Sequence, residues 1–408
     1  MSVDAGSGLV PALKRSWALA ALLASLVMLG PFSIDLYLPA FGAIGRELAV
    51  PPVAVQATLS AYLFAYAFMM LWHGALSDAL GRRPVVIAGL VVYAIATLLC
   101  AIAGNIESLW LARALQGLSA GTGMVVGRAI IRDSFHGPEA QKAMSQITLV
   151  FSIAPAVAPV IGGVLLNTMG WRAMFWALLA FTLVVLAWAW RALPETHPPR
   201  MRSALHPRTL WHNYRAVIGR PEFLLLGFIP ALNFCAFFLY IAGAPAFLVD
   251  LLGVSTWGFG WLFIPLIAGV MIGATASGRL AGKLPPRRTV RVGYMFMGVA
   301  TAINVLLCLF APPHVALNVA PISLYMVGSA LVQPSITVML LDLFPTMRGL
   351  ASSLQGFIQF ALGGIVAGTI APLVDHSLVM LAGSMAAFTA VSWILWVIYT
   401  RRTRVLTP

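Results

Sequence analysis

Long apolar runs, separated by short polar or basic stretches, fill the chain from one end to the other. A helix needs about 20 mostly apolar residues to cross a bilayer. Twelve segments meet this requirement, at residues 17–41, 53–75, 84–104, 107–130, 141–168, 172–193, 221–247, 255–278, 289–311, 314–340, 349–373 and 376–399. The pattern therefore predicts an all-α membrane protein with twelve transmembrane helices.

One long polar interruption divides these segments into two sets of six. It contains Arg200, Arg202, Arg208, Arg215 and Arg220. The predicted domains are an N-terminal six-helix bundle at 1–193, a cytoplasmic linker at 194–220 and a C-terminal six-helix bundle at 221–408. Faint echoes between the halves, such as Gly74–Asp78 and Gly273–Ser277, favour two pseudo-symmetric bundles around a site at the membrane midplane.

The linker has some pattern of its own. A short surface helix is predicted around residues 210–218, where Trp211 and Tyr214 suit the level of the lipid headgroups.

Composition and charge agree with a membrane protein. Hydrophobic residues make up 61% of the chain and charged residues 9%, against roughly 45–50% and 25% in soluble domains. The net charge is +13, yet all Lys and Arg except Arg46, Arg172 and Arg113 lie on one side of the predicted membrane. By the positive-inside rule that side is cytoplasmic. We therefore expect a multi-pass protein of the bacterial inner membrane with both termini in the cytoplasm and no nucleic-acid partner.

The N-terminal apolar run is predicted to stay in the protein. It follows Lys14 and Arg15 and extends over about 25 residues, whereas the apolar core of a signal peptide has roughly 7–15.

Candidate chemistry is sparse. Cys100, Cys235 and Cys308 lie in apolar segments without CxxC or Cys/His spacing, so neither a disulfide nor a metal site is predicted. Motifs for zinc hydrolysis, a nucleophile elbow or a phosphate-binding loop are missing from the sequence. An enzyme and an ATP-driven pump are therefore disfavoured, and no catalytic residue is predicted. A channel is disfavoured as well, because neither a ring of like charges nor a repeated filter loop occurs.

Asp35 is the most informative residue. It is the only charge between Arg15 and Arg46, and a carboxylate within a spanning helix costs about 2.5–3.5 kcal/mol on insertion scales. It either pairs structurally with a basic residue of a neighbouring helix, or it binds and releases a proton or a cationic substrate. The second interpretation is favoured because ionisable residues inside membranes are usually functional.

The segment Gly74-Ala-Leu-Ser-Asp78-Ala-Leu-Gly81-Arg82-Arg83-Pro84 resembles the helix 2–3 signature of the major facilitator superfamily. Ala79 departs from the usual basic residue, and the second half has Ser277-Gly278-Arg279 without an Asp. The resemblance implies a cytoplasmic latch that forms and breaks as the two halves rock. Its residues are Gly74 for close helix contact, Asp78 as acceptor from a facing Arg, and Gly81, Arg82 and Arg83 in the loop. The alternative is a merely solvated basic loop.

Two further segments resemble motifs of the same superfamily. Arg113-Ala-Leu-Gln116-Gly117 resembles its Arg-x-x-Gln-Gly signature, which implies a buried cation tied to proton transfer; alternatively the Arg side chain snorkels to the interface. The segment from Ala154 to Gly163 resembles the motif of drug/proton antiporters, although Ala158 replaces the usual Gly. Its motif residues are Pro155, Pro159, Gly162 and Gly163, and plain helix packing is the alternative explanation.

The segment Ser33-Ile-Asp35-Leu-Tyr37-Leu-Pro39 resembles the Bcr/CflA drug-resistance group, as does Arg128-Ala-Ile-Ile-Arg132-Asp133, in which Arg132 and Asp133 are expected to pair. The resemblance implies proton-coupled export of small lipophilic or cationic drug-like compounds by alternating access. A carrier for one native metabolite is the alternative.

The site residues expected for such a transporter come from both halves. Proton coupling is assigned to Asp35 and Arg113. The predicted substrate-binding residues are Asp35, Tyr37, Tyr62, Gln116, Asn233, Phe237, Tyr240 and Gln359, and most of the aromatic ones have packing as an alternative role. The expected partners are a small-molecule substrate, protons and the lipid bilayer. No metal or cofactor beyond the proton gradient is expected, and a monomer is predicted. Asp250, Asp342, Asp375 and Glu222 are expected to be solvated at helix ends.

Overall fold

The computed structural model describes residues 9–135, 137–202, 206–280, 283–345 and 347–405. For residues 9–17, 137–152, 201, 207, 404 and 405 only the backbone is described. The basic side chains of Lys14, Arg15 and Arg404 lie outside the described part.

Twelve long helices occupy the described residues and confirm the predicted all-α, twelve-helix fold. They are α1 (Leu9–Asp35), α2 (Pro52–Leu80), α3 (Arg82–Ala101), α4 (Ile106–Ser134), α5 (Gly137–Met169), α6 (Arg172–Ala192), α7 (Pro221–Ala242), α8 (Gly260–Leu280), α9 (Pro286–Phe310), α10 (Val315–Asp342), α11 (Arg348–Ile365) and α12 (Leu378–Val405). The shorter elements are helices at Phe41–Glu47, Pro207–Ile218 and Ala371–Val374, 3₁₀ turns at Leu38–Ala40, Pro199–Met201 and Thr256–Phe259, and π-helical turns at Ala246–Leu251 and Val366–Ile370.

Helix α1 ends earlier than the apolar run predicts. The run continues to residue 41, but the helix stops at Asp35 and the chain continues through a 3₁₀ turn at Leu38–Ala40. Pro39 explains the break, because a proline has no N–H to donate and its ring clashes with the carbonyl four residues earlier. Asp35 therefore lies at a helix end within the membrane rather than in a continuous helix.

Helix α4 is the most polar of the spanning helices. Ten helices of the described part are long and apolar enough to cross a membrane, and the described apolar part of α5, Ile153–Met169, is shorter. Helix α4 instead carries charges at Glu107, Arg113, Arg128 and Arg132. It packs against α1, α2 and α3, and most of its middle is buried. Arg113, in that buried middle, is thus enclosed by protein, where lipid does not have to solvate it, whereas Glu107, Arg128 and Arg132 are exposed.

The main helix contacts within each predicted bundle join both consecutive helices and helices farther apart in the chain. In the first half α2 packs on α4, α3 on α4 and α6, and α1 on α5. In the second half α10 packs on α8 and α9, and α12 on α7 and α9. Across the halves α2 contacts α11, and α5 contacts α8. Residues on these four crossing helices are therefore placed to sense movement between the halves.

The linker helix Pro207–Ile218 is present where a short helix was predicted. Trp211 is 70% exposed, as a headgroup-level residue should be, but Tyr214 is only 8% exposed. The Tyr214 hydroxyl donates to the Leu71 carbonyl of α2 at 2.7 Å, and burial raises the pKa of Tyr214 to about 12. The headgroup assignment is therefore wrong for Tyr214, which anchors the linker to the first bundle. We call this end of the molecule the linker end and the opposite one the far end.

Candidate functional site

Asp35 is buried at the break in α1. The residue is 4% exposed, and within the described part of the chain it has neither a hydrogen bond nor an ion pair. Helix α5 packs directly beside it, because a Cβ at Gly162 would collide with the Leu36 carbonyl. A helix C-terminus carries partial negative charge, which adds nothing to stabilise a carboxylate there. The described contacts therefore do not support structural pairing with a basic residue.

Arg113 is fully buried and sits between two tyrosine rings. Its guanidinium carbon lies 4.4 Å from the ring centre of Tyr37 and 4.5 Å from that of Tyr62. It donates a hydrogen bond to Gln116. The side chain has 0% exposure, so it does not snorkel to the membrane surface.

Polar groups from three helices, and from the turn that follows α1, surround this arginine. Gln116 donates to Thr97 Oγ1 at 2.8 Å, and the Tyr37 and Thr58 hydroxyls lie 2.9 Å apart. We call Tyr37, Thr58, Tyr62, Thr97, Arg113 and Gln116 the arginine cluster. Nε and Nη2 of Arg113 have no partner within the described residues. Asp35 and Arg113 form no ion pair. Arg113 instead contacts the ring of Tyr37, which follows Asp35 by two residues in the chain.

The predicted substrate-binding residues of the second half lie apart from this cluster. Asn233 donates to the Tyr294 hydroxyl at 3.5 Å, and the Tyr240 hydroxyl accepts from Asn304 at 2.7 Å. Both bonds stay within the second half, and Asn233 Oδ1 is buried without a hydrogen-bond partner among the described residues. Gln359 is half-buried, with no hydrogen bond inside the described part. The structure thus brings Tyr37, Tyr62 and Gln116 together but not the whole predicted set.

An aromatic ladder joins the two halves, and sequence analysis missed most of it. Ring centres are 5.9 Å apart for Tyr62 and Tyr66, 4.7 Å for Tyr66 and Phe360, and 5.9 Å for Phe360 and Phe234. Phe234 then contacts Phe237 at 5.2 Å. The sequence shows only that Tyr62 and Tyr66 are one helical turn apart on the same helix. The ladder connects the arginine cluster to the predicted substrate residue Phe237.

A cavity of about 550 Å³ opens between the halves toward the linker end. We call it the inner cavity. Met70 and Met124 lie at the end nearest the ladder, where the Tyr66 hydroxyl contacts Met124 Sδ at 3.7 Å. Its charged lining residues are Asp78, Arg82, Arg128, Arg132 and Arg348.

Arg128 is one of the arginines that line the inner cavity, and sequence analysis did not assign it to the site. It is exposed to the cavity and has no ion pair with any described residue. Asp78, by contrast, is paired with Arg82. The lining described is therefore net positive.

The predicted latch residues form a compact network with other residues of the first half and with the start of the linker. Arg82 binds Asp78, donates to Asp133 Oδ2 at 3.1 Å, and its backbone N–H donates to Glu195 at 3.0 Å. Gly81 has φ of 102°, which favours glycine. The expected pair of Arg132 and Asp133 is wrong, because Asp133 pairs with Arg82 instead.

Two other latch residues behave differently from each other. Arg83 donates to the Trp190 carbonyl at 2.7 Å, which ties the loop to α6. A Cβ at Gly74 would meet only Val125, at 3.9 Å. The expectation that Gly74 is needed for close helix contact is therefore not met in this conformation.

The predicted antiporter motif packs against both halves. Pro159 is buried and Pro155 half-buried, and both stay inside α5. A Cβ at Gly163 would lie 2.7 Å from the Thr256 carbonyl, and Asn167 accepts from the Thr256 hydroxyl at 3.1 Å. The small residues thus allow close contact with the turn that precedes α8, next to the break in α1.

A second contact between the halves closes the far end. Gln56 of α2 donates to Asp375 Oδ2 at 2.7 Å, in the turn before α12. We call this pair the far-end clasp. Burial raises the pKa of Asp375 above its usual range. The expectation that Asp375 is solvated is wrong, since the residue is half-buried at a contact 319 positions apart in sequence.

The far-end clasp should close more readily in acid. The pKa of Asp375 is raised when it is buried, so the closed state is favoured below the raised pKa and weakens as pH rises through it. The clasp lines a cavity of about 1060 Å³, which we call the far-end vestibule, and its other charged or titratable lining residues are His376, Asp250, Arg46 and Glu47. We expect spin labels at the far ends of α2 and α11 to show a larger separated population at pH 8 than at pH 5.

The variant Asp375→Asn should make that distance distribution independent of pH. Glu107→Gln, an exposed carboxylate at the same end, should leave the dependence unchanged. A pH response that persists in Asp375→Asn would contradict this assignment.

Comparison with known proteins now decides the family. Residues 23–368 match the sequence profile of the Major Facilitator Superfamily. The chain belongs to this superfamily. It is 30% identical over 370 residues to multidrug resistance protein D of Escherichia coli K12, covering 88% of this chain and 90% of that protein. Because this superfamily and the relatives named here are transporters, the chain is a multi-pass membrane transporter.

Two further relatives support the narrower resemblance found in the sequence. A bicyclomycin resistance protein homolog of Haemophilus influenzae is 28% identical over 95% of this chain and 98% of its own length. A chloramphenicol resistance protein of Pseudomonas aeruginosa is 29% identical over 87% and 84%. The resemblance to the Bcr/CflA drug-resistance group is thereby confirmed.

Solved structures agree on the fold. A D-xylose–proton symporter superposes with a TM-score of 0.73 over 93% of this chain and 97% of that chain, at 16% identity. The human organic anion transporter MFSD10 gives 0.71 over 93% and 99%, also at 16% identity. At this identity the likeness concerns the fold alone.

Proposed function

We propose that this protein exports small lipophilic, drug-like compounds from the bacterial cytoplasm across the inner membrane in exchange for protons. The observation that carries the proposal is Asp35, a buried carboxylate without a described partner at a helix break. A carboxylate in such a place is costly when charged, and taking up a proton removes that cost. The names of the relatives support drug-like compounds as cargo.

The transport cycle follows from the two ends of the molecule. With the far end closed by the clasp, a compound enters the inner cavity from the linker end, and the distribution of basic residues supports a cytoplasmic location for that end. Substrate and proton then compete for Asp35, as reciprocal coupling between two ligands requires. Opening of the far end releases the compound and exposes Asp35 to protons from outside.

Arg113 is proposed to set the balance of that competition. Its buried charge acts through Tyr37, whose ring it faces and which follows Asp35 by two residues. A cation in a low-dielectric surrounding interacts with nearby charges more strongly than in water. Loss of the proton from Asp35 is thus coupled to a fixed positive charge. We propose that the protein acts as a monomer, with the two six-helix bundles at 1–193 and 221–408 and no cofactor other than the proton gradient.

Within the drug-like class, the lining of the inner cavity favours neutral compounds over cations. Arg128, Arg132 and Arg348 face the cavity, and the Asp78 carboxylate is already paired with Arg82. A cationic compound entering from the linker end meets a repulsive field. A neutral compound does not experience this repulsion, and Met70 and Met124 offer it apolar contacts on the side of the aromatic ladder.

Replacing Arg128 with Gln should shift selectivity toward cations. Removing one cation roughly 8–16 Å from a charged substrate changes the substrate's energy by about 1–2 kcal/mol at an effective dielectric of about 20, roughly a tenfold change in preference. Competition between a cationic and a neutral dye of similar size measures the ratio. Arg191→Gln, an exposed residue of α6 outside the cavity lining, serves as the matched control, and an unchanged ratio in Arg128→Gln would contradict the assignment.

Transport by inside-out membrane vesicles tests the proposed function. Acidifying the lumen should drive uptake of a lipophilic dye or antibiotic, and a protonophore should abolish it. Uptake that does not depend on the proton gradient would refute proton exchange and favour a facilitator. A gradient-dependent uptake confined to one metabolite, with no drug transported, would favour the alternative of a metabolite carrier.

A further inference from the structure

A groove on the outer surface of the second half lies between α9 and α12. It has a volume of about 660 Å³ and includes Arg291, Tyr294, Gly298, Thr301 and Trp393 among its lining residues. Apart from Arg291 and a few hydroxyl groups, the lining is apolar. It shares no residue with the inner cavity or the far-end vestibule, so the proposed transport cycle does not use it.

The length and direction of the groove suit one lipid tail. Along α9 it extends from Arg291 to Leu306, which corresponds to about 22 Å at 1.5 Å per residue. One leaflet of the hydrocarbon core is roughly 15 Å thick. A tail entering beside Arg291 therefore remains within the groove through its whole leaflet. Gly298 leaves the middle open, since a Cβ there would have no neighbour within 4 Å.

Positive charge is concentrated at one mouth of the groove. Arg291 is exposed there, and Arg287 donates to Thr403 at 2.8 Å, which ties the start of α9 to the end of α12. The exposed Arg288, Arg401 and Arg402 flank the same mouth. Glu222, near Tyr399, offsets only part of this charge. Basic pockets between transmembrane helices at this level are suited to anionic headgroups.

A second observation points into the groove. Thr301 is 6% exposed, and its hydroxyl has no hydrogen-bond partner within the described residues. A helical threonine normally satisfies its hydroxyl on the preceding turn, as Thr389 across the groove does by donating to Met385. Thr301 lies about 15 Å along α9 from Arg291, at the depth of the end of an acyl chain, which offers no acceptor to this hydroxyl. A lipid is therefore indicated by the charge at the mouth and by the length of the groove.

We propose that the groove binds an anionic phospholipid of the linker-end leaflet, with its phosphate at Arg291 and one acyl chain along α9 and α12. The charge at the mouth selects an anionic headgroup, and the apolar walls accept the chain. A bound lipid of this kind bridges α9 and α12 at the back of the second half. It is therefore a structural ligand that joins two helices and is independent of the transported compound.

Native mass spectrometry of the purified full-length protein tests the proposal. We compare phosphatidylglycerol with phosphatidylcholine of identical chains. One Lys or Arg near an anionic lipid surface strengthens binding by roughly fivefold, so phosphatidylglycerol should bind at least that much more tightly to the wild type. Arg291→Ala should lose the preference while still holding some of either lipid. Gly298→Trp, whose Cβ would have no neighbour within 4 Å, should fill part of the groove and lose the tightly bound lipid altogether.

Two control variants test whether added bulk or the loss of one arginine elsewhere has the same effect. Gly383→Trp adds the same bulk at an open glycine of α12 that does not line the groove, and Arg191→Ala removes one exposed arginine from α6. Both should bind lipid as the wild type does. Equal affinity for the two lipids, or undiminished binding in Gly298→Trp, would overturn the proposal. So would displacement of the lipid by a transported drug or a change from dimer to monomer in Gly298→Trp, which would make the groove a drug site or a subunit interface.

Discussion

Inside-out vesicles that contain Asp35→Asn should show no gradient-driven uptake, at the level of vesicles without the protein. Asparagine has nearly the same size as aspartate and retains a polar group at the break in α1, but its amide cannot bind or release a proton at the pH of the assay. Because Asp35 has no described partner, its replacement leaves no unpaired cation behind. The protein should therefore fold and insert normally, and only the coupling should be lost.

Three comparisons support the interpretation of that result. Asp35→Glu keeps the carboxyl group and should retain part of the uptake. Glu107→Gln removes an exposed carboxylate at the far end and should transport as the wild type does. Substrate equilibration by Asp35→Asn without any gradient would show that binding and rocking survive. Full uphill transport by Asp35→Asn would place the coupling elsewhere.

Arg113→Met should abolish uphill transport while leaving the protein as stable as the wild type or more so. Arg113 is fully buried with two guanidinium nitrogens unpartnered among the described residues. Replacing buried charges with apolar side chains of similar volume is often neutral or stabilising, by about 1–4 kcal/mol. The loss of contacts with Tyr37, Tyr62 and Gln116 offsets part of that gain. Such a residue is retained for function at the expense of stability.

The melting temperature and vesicle uptake of the same preparation separate the two effects. Arg113→Met should melt at the wild-type temperature or a few degrees above it, with uptake lost. Arg113→Lys keeps the charge but loses the planar group that lies between the two rings, so partial uptake is expected. A clear fall in melting temperature for Arg113→Met would assign Arg113 a structural role, and retained transport would remove it from the coupling.

The sequence predicts the helices well because lipid imposes a simple rule on them. A run of about 20 apolar residues is required whatever the neighbours are, so the twelve segments appear near their predicted places. The end of α1 was missed because apolarity continues past Asp35, although Pro39 marks the break. Local composition thus located the carboxylate but not its position at a helix end.

Contacts between the halves were beyond sequence reasoning. Gln56 and Asp375 are 319 positions apart, and Tyr66 meets Phe360 from the other half. No helical period links such residues. The partner of Asp133 was misjudged for the same reason, because its neighbour Arg132 was closer in sequence than Arg82.

The charge of the inner cavity also needed the structure. Arg128 was visible only as part of a motif, and nothing in its spacing showed that it faces a cavity whose lining carboxylate, Asp78, is already paired with Arg82. The proposed preference for neutral compounds rests on that placement, whereas the sequence alone did not distinguish lipophilic from cationic compounds.

Proton release upon substrate binding tests the central claim most directly. Adding a transported compound to the purified protein in weakly buffered detergent solution should release protons from the wild type, detected with a pH indicator. Asp35→Asn should bind the compound and release none. Equal proton release from Asp35→Asn would contradict competition between proton and substrate at Asp35.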